Sequence, residues 1–124
     1  MVGFGLQLVE LGDHELVVAV ADTAALRGRG LMGVEGLGSL DGMLFSWGGE
    51  EVTSGFYMKN TLIPLTIAFY AADGSYVDSL EMVPCKADPC ETYRASGPYA
   101  YAIEFFGGRR IAPDDRLVLD PPSG

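Results

Sequence analysis

The sequence predicts an all-β protein, mainly antiparallel, built as a sandwich or a partly closed barrel with one short helix near residues 23–30. Three observations carry this. Short apolar runs rich in Val, Ile, Leu, Phe and Tyr recur along the chain, punctuated by Gly, Asp and Pro. Gly12-Asp13 and Asp73-Gly74 stand between pairs of such runs as hairpin turns. A helix start followed by a helix stop is found around Ala24–Arg29, and so little helix beside many strands leaves the antiparallel β architectures.

Taken in order, Leu6 to Leu11 and His14 to Ala21 read as a hairpin about Gly12-Asp13. Asp22 and Thr23 offer N-cap oxygens to about two helical turns, and Gly30 is suited to end them. A glycine-rich loop runs from Gly33 to Gly42. Met43 to Trp47 alternates as a strand, and Gly48 to Ser54 is an acidic loop. Phe56 to Thr61 alternates again, which predicts a further extended segment. Pro64 cannot donate to a ladder and is expected at the entry of the next strand, Leu65 to Ala71, which is apolar on both faces except at Thr66. Asp73-Gly74 then predicts a type I′ turn into a strand ending at Val83, before Pro84. Cys85 to Pro98 reads as an irregular loop, Tyr99 to Phe106 as a strand, Arg116 to Leu119 as a final short strand, and Pro121 to Gly124 as a tail.

At 124 residues the chain is expected to form a single domain, 1–124, long enough to bury a core without metal or many disulfides. Seventeen acids against six Arg and two Lys give a net charge of −9, which argues against nucleic acid or an anionic membrane as partner. No apolar run approaches the ~20 residues that a membrane-spanning helix needs. The first residues, Met1 to Leu8, lack a basic start and an unbroken apolar run, so no signal peptide is read in this chain.

Met58-Lys59-Asn60-Thr61-Leu62-Ile63-Pro64-Leu65 resembles the signature of the domain of unknown function 192 family, a group of small prokaryotic and often exported proteins. Arg27 to Met32, Gly42 to Phe45, Met82 to Cys85 with Cys90 and Tyr93, and Tyr101 to Glu104 follow in the family's order, over about residues 17 to 119. Thr66 stands where the family usually has Asp, Tyr57 where it usually has Trp, and Val34 where a basic residue is common. The resemblance implies a compact β architecture and no established activity.

Five residues are the candidate ligand site: Arg27, Lys59, Asn60, Thr61 and Glu104. Arg27 is either a surface side chain covering apolar neighbours or a fixed guanidinium that pairs with Glu104 or a ligand's carboxylate. Lys59 to Thr61 form a polar floor for an anionic or sugar-like ligand, or else hydrogen-bond the turn before Pro64 while Lys59 pairs with Glu104. Glu104 stands mid-strand, and an ionised carboxylate there needs a cation or several donors, Arg27 before Lys59. Cys85 and Cys90 enclose four residues. A structural disulfide is the leading reading, with free thiols and a redox or metal role as alternatives. Met32, Met43, Met58 and Met82 are read as core filling, and His14 as exposed beside a turn. No catalytic residues, metal or cofactor are assigned.

The function expected is a small exported binding or accessory β domain: monomeric, periplasmic, extracellular or membrane-tethered after signal removal, with a small molecule or protein as partner. Binding is favoured over catalysis, which stays open, because no nucleophile–base pair is visible. The rivals are a hydrolase-type enzyme using Glu104 with Lys59 or Arg27, and a docking subunit of a larger assembly.

Overall fold

The computed structural model describes residues 3–120, so the tail predicted over residues 121–124 lies outside the described residues. The strands are β1 (Gly5–Leu11), β2 (His14–Ala21), β3 (Gly42–Ser46), β4 (Phe56–Tyr57), β5 (Leu65–Tyr70), β6 (Tyr76–Met82), β7 (Thr92–Tyr93), β8 (Tyr101–Phe106) and β9 (Leu117–Val118), with one helix, α1 (Ala24–Arg29). Seven strands form one sheet in the order β6-β5-β8-β3-β2-β1-β9, and β4 pairs with β7 in a second, two-stranded sheet. Every pairing is antiparallel except β2 with β3, which α1 and the glycine-rich loop connect.

The sheet curls into a half-barrel, so the partly closed barrel describes the fold. Its inner core is built from the sheet's own strands: Val9, Leu11, Leu16, Val18, Leu44, Ala68, Tyr70, Ile103, Phe105 and Leu117. Residues from β9 to β5 meet in one cluster because the sheet bends round them. The alternate residues of the same strands, among them Ala19, Met43, Phe45, Ile67, Phe69 and Ala102, form an outer core. That face is covered from outside the sheet by Leu31 and Leu37 of the glycine-rich region, Met58, and side chains of α1 and β4. Period-two alternation thus feeds both cores, and it explains why β5 is apolar on both faces. Met43, Met58 and Met82 are buried in the outer core.

Helix α1 starts where its cap residue predicts. Thr23 Oγ1 accepts from the Leu26 N–H at 3.2 Å, and Gly30 closes the helix at φ 48°. Pro64 immediately precedes β5 and stays out of its ladder.

Three local expectations are corrected. The extended segment over Phe56–Thr61 ends at Tyr57, because Thr61 N–H bonds Met58 O (3.1 Å) and Asn60 takes φ 59°. This is a turn, and Asn tolerates the left-handed conformation it requires. At Asp73-Gly74 only Gly74 has a positive φ (89°), so the turn is not type I′. Ala71 N–H bonds Ser75 O and Gly74 N–H bonds Ala71 O, which makes a three-residue hairpin loop ending in a left-handed glycine. A side chain at Gly74 would meet Leu117 O at 2.1 Å. Finally, the loop after Cys85 contains β7, which pairs with β4 and closes the edge of the outer core.

Candidate functional site

Strand β8 runs through the centre of the sheet, between β3 and β5. Its alternation sends Ile103 and Phe105 inward and Ala102 and Glu104 outward, beneath α1. Glu104 stands opposite Met43 on one side and Ile67 on the other. It is 5% exposed. Among the described residues its carboxyl makes no hydrogen bond and no ion pair, although its oxygens are not sealed off. They open into a cavity of about 310 Å³ between α1, β4 and the sheet.

The cavity has one wall from α1 and the residues after it, with Arg27, Leu31 and Met32 on that side. Phe45, Trp47, Phe56 and Tyr57 supply an aromatic lining, and Thr61 a hydroxyl. Trp47, Phe56, Phe69 and Tyr99 pack edge-on or tilted, with centroids 4.7–6.4 Å apart, which fixes the rings before any ligand arrives. Arg27 is held twice. Its Nη1 donates to Ser46 O at 2.9 Å, and its guanidinium lies 5.2 Å from the Trp47 ring centroid.

Burial pushes the Glu104 carboxyl up to about 8, and burial is the sole cause. In the sequence, an ionised carboxylate at Glu104 called for Arg27 or Lys59 as counter-ion. The protein instead lets the group keep its proton near neutral pH. Neither cation pairs with it: Arg27 bonds Ser46, and Lys59 Nζ reaches Asp88 Oδ2 at 3.2 Å.

Of the five candidate residues, Arg27, Thr61 and Glu104 line the cavity. Lys59 and Asn60 do not. They form the turn beside the Cys85–Cys90 disulfide, where Asn60 O accepts from Gly33 N–H at 2.8 Å. Because Asp88 lies inside the disulfide loop, the Lys59–Asp88 pair ties that loop to the turn. Trp47, Phe56 and Tyr57 are the lining residues that sequence reasoning missed. Trp47 was legible as an aromatic ending a strand, but nothing in its spacing said that it faces Arg27. Among the described residues no group of three or more His, Cys, Asp or Glu side chains is placed to hold a metal ion.

A family model, DUF192 (uncharacterised ACR), matches residues 7–118. No curated protein matches the chain. Two crystal structures are similar to it over nearly the whole fold. One, from Sinorhizobium meliloti, is described as a candidate transcription regulator; it is 30% identical, covers 94% of this chain and 95% of its own, and superimposes with a TM-score of 0.82. The other, a protein of unknown function from Novosphingobium aromaticivorans, is 28% identical over 94% of this chain and 87% of its own, with a TM-score of 0.81.

Proposed function

We propose that this chain, which belongs to the DUF192 family, is a small binding domain whose ligand occupies the cavity beneath α1. The observation that carries this reading is Glu104, a carboxyl 5% exposed, without a protein partner, and open to that cavity. Stripping a carboxyl of most of its water without giving it a protein hydrogen bond costs free energy, and folds tolerate few such groups. A ligand that meets Glu104 offsets that cost when bound. Arg27, Thr61 and Glu104 are the polar contacts, and the aromatic residues supply the apolar wall that small-molecule sites usually have. Lys59 and Asn60 lie outside this cavity.

The regulator description of the S. meliloti protein gives no reason to place DNA on this chain, whose net charge of −9 repels it. An oxidising compartment, periplasmic, extracellular or at a membrane surface, is supported by the Cys85–Cys90 disulfide. The protein purified unreduced from its own host is then expected to lack two thiol hydrogens by mass. Two alkylatable thiols would remove the case for export.

A second reading has a specific observation behind it. A carboxyl protonated near neutral pH can act as a general acid, which suits a hydrolase. It would have to work without Lys59, which lies outside the cavity.

A thermal-shift screen of organic anions, amines, sugars and metal ions tests the binding reading, because a ligand of the native state raises the melting temperature. Ala24 lines the cavity and is exposed, so Ala24→Trp obstructs the opening while sparing the core. Hits that vanish in Ala24→Trp support the reading. Hits that persist there place the ligand elsewhere and sink it.

A further inference from the structure

The cavity has a charge character opposite to that of the chain. Across the whole sequence acids outnumber Lys and Arg by seventeen to eight. The charged or titratable residues lining the cavity are Arg27 and Arg29 from α1, Tyr57 from β4 and Glu104 from β8. The neighbours of Glu104 on β3 and β5, Met43 and Ile67, do not titrate. Arg29 stacks its guanidinium on the Phe4 ring, 4.5 Å from the centroid, so Arg27 is the cation set against Glu104, whose carboxyl burial keeps protonated. At neutral pH the site offers a cation and hydrogen-bond donors to whatever enters it.

Arg27 is suited to one kind of anion. Its contacts to Ser46 O and the Trp47 face fix the plane of the guanidinium. The group carries five N–H donors in a planar fork, so donors remain for a planar carboxylate. Burial alone accounts for the state of Glu104, with no lowering by Arg27. The two polar groups thus act on separate parts of a ligand, and Phe45, Trp47 and Phe56 remain for its apolar body.

We propose that the cavity binds a small organic carboxylate, its anionic group on Arg27, its apolar body against Phe45, Trp47 and Phe56, and a hydrogen-bond acceptor meeting Glu104. This rests on the binding reading above and deepens it. The site takes the ring or short chain of such a molecule at about 310 Å³. Glu104 donates while it holds its proton and repels the anion once ionised, so affinity falls as pH rises through about 8.

The test titrates the intact protein with benzoate and hexanoate, and in parallel with benzylammonium and hexylammonium, following backbone amides by NMR. The carboxylates are expected to shift amides of Arg27, Trp47, Thr61 and Glu104 at lower concentration than the ammonium partners. Arg27→Gln is expected to weaken carboxylate binding about tenfold or more, the loss of a charge-assisted bond. Arg27→Lys, which keeps the charge without the fork, should recover only part. Thermal unfolding of both variants checks that they fold. In Glu104→Gln the pH dependence of carboxylate affinity should disappear. Ammonium ligands winning at the same amides would overturn the carboxylate assignment and leave the binding domain standing. Cavity amides unmoved by any of the four probes would overturn both. A wild-type affinity flat across pH 8 would overturn the role given to Glu104.

Discussion

Thr66 and Glu104 lie one register step apart on the neighbouring central strands β5 and β8. Thr66 stands opposite Phe105, and Glu104 opposite Ile67, so the two side chains leave opposite faces of one sheet. Both are buried, at 1% and 5% exposed. Thr66 is fully engaged: its hydroxyl donates to Glu81, its cross-strand partner on β6, and accepts from Arg109 N–H at 3.1 Å. Glu81 accepts in turn from Gly108 N–H at 2.7 Å. That corner ties the loop after β8 to the sheet. Glu104 has no such bonds and a cavity in front of it. A polar group in a core reads as structure when the protein completes its hydrogen bonds, and as a site when the protein leaves room instead.

The largest expected effect separates the two groups by pH. A free Glu carboxyl ionises from about 4.5, whereas folded Glu104 keeps its proton to about 8. Between those values the unfolded chain binds fewer protons, so stability falls as pH rises. The loss is on the order of 4 kcal/mol over the window. Glu104→Gln removes the ionisation, so its urea unfolding free energy should lose this component of the slope, and the variant should gain on wild type toward pH 8. Parallel slopes for the two proteins would break the comparison.

Thr66 is sharpened by charge. Thr66→Asp sets a second carboxylate against Glu81, at a cost of about 3 kcal/mol or more at neutral pH. Thr66→Asp with Glu81→Gln should recover most of it, a coupling that a double-mutant cycle reads directly. Recovery without the second change would mean that Arg109, whose guanidinium lies 4.4 Å from the Phe105 ring centroid, turns to meet the new carboxylate. Thr66→Val, which only deletes the hydroxyl, should cost under about 2 kcal/mol.

Much of this was legible in the chain. The hairpins, the helix bounded by Thr23 and Gly30, the place of Pro64 and the burial of Thr66 follow from residue-level rules that tertiary context did not override. The resemblance to the family was carried by motifs now seen on α1, β3, the turn at Lys59–Asn60 and β8. The turn at Lys59 to Thr61 was legible only as one of two readings, beside a polar floor for a ligand. Alternating side chains over Phe56–Thr61 imitate a strand, whereas Asn60 takes a left-handed backbone and its carbonyl accepts from Gly33 N–H. Glu104 stood out in the sequence as a mid-strand carboxylate, but whether a counter-ion meets it depends on which way Arg27 and Lys59 turn, and only three dimensions fix that. The bond from Thr66 to Glu81 needed the β5–β6 register, which sequence leaves open to slips.

The smallest effect concerns an exception on the closed face. Among the described residues Tyr70 Oη is buried without a partner, and burial pushes its phenol up. It lies in the inner core, away from the residues lining the cavity. Tyr70→Phe should therefore be neutral or stabilising by about 1 kcal/mol in thermal unfolding. A clear loss would mean that an internal water completes Tyr70, as Glu81 completes Thr66.

The account rests on Glu104 being buried, unpartnered and protonated in front of the cavity. Infrared difference spectra between wild type and Glu104→Gln, followed across pH, report the protonated carboxyl of that one residue. A protonated band is expected at neutral pH, disappearing with a midpoint near 8. A midpoint in the ordinary glutamate range would contradict it, because solvent or a cation would then already satisfy the group on which the site depends.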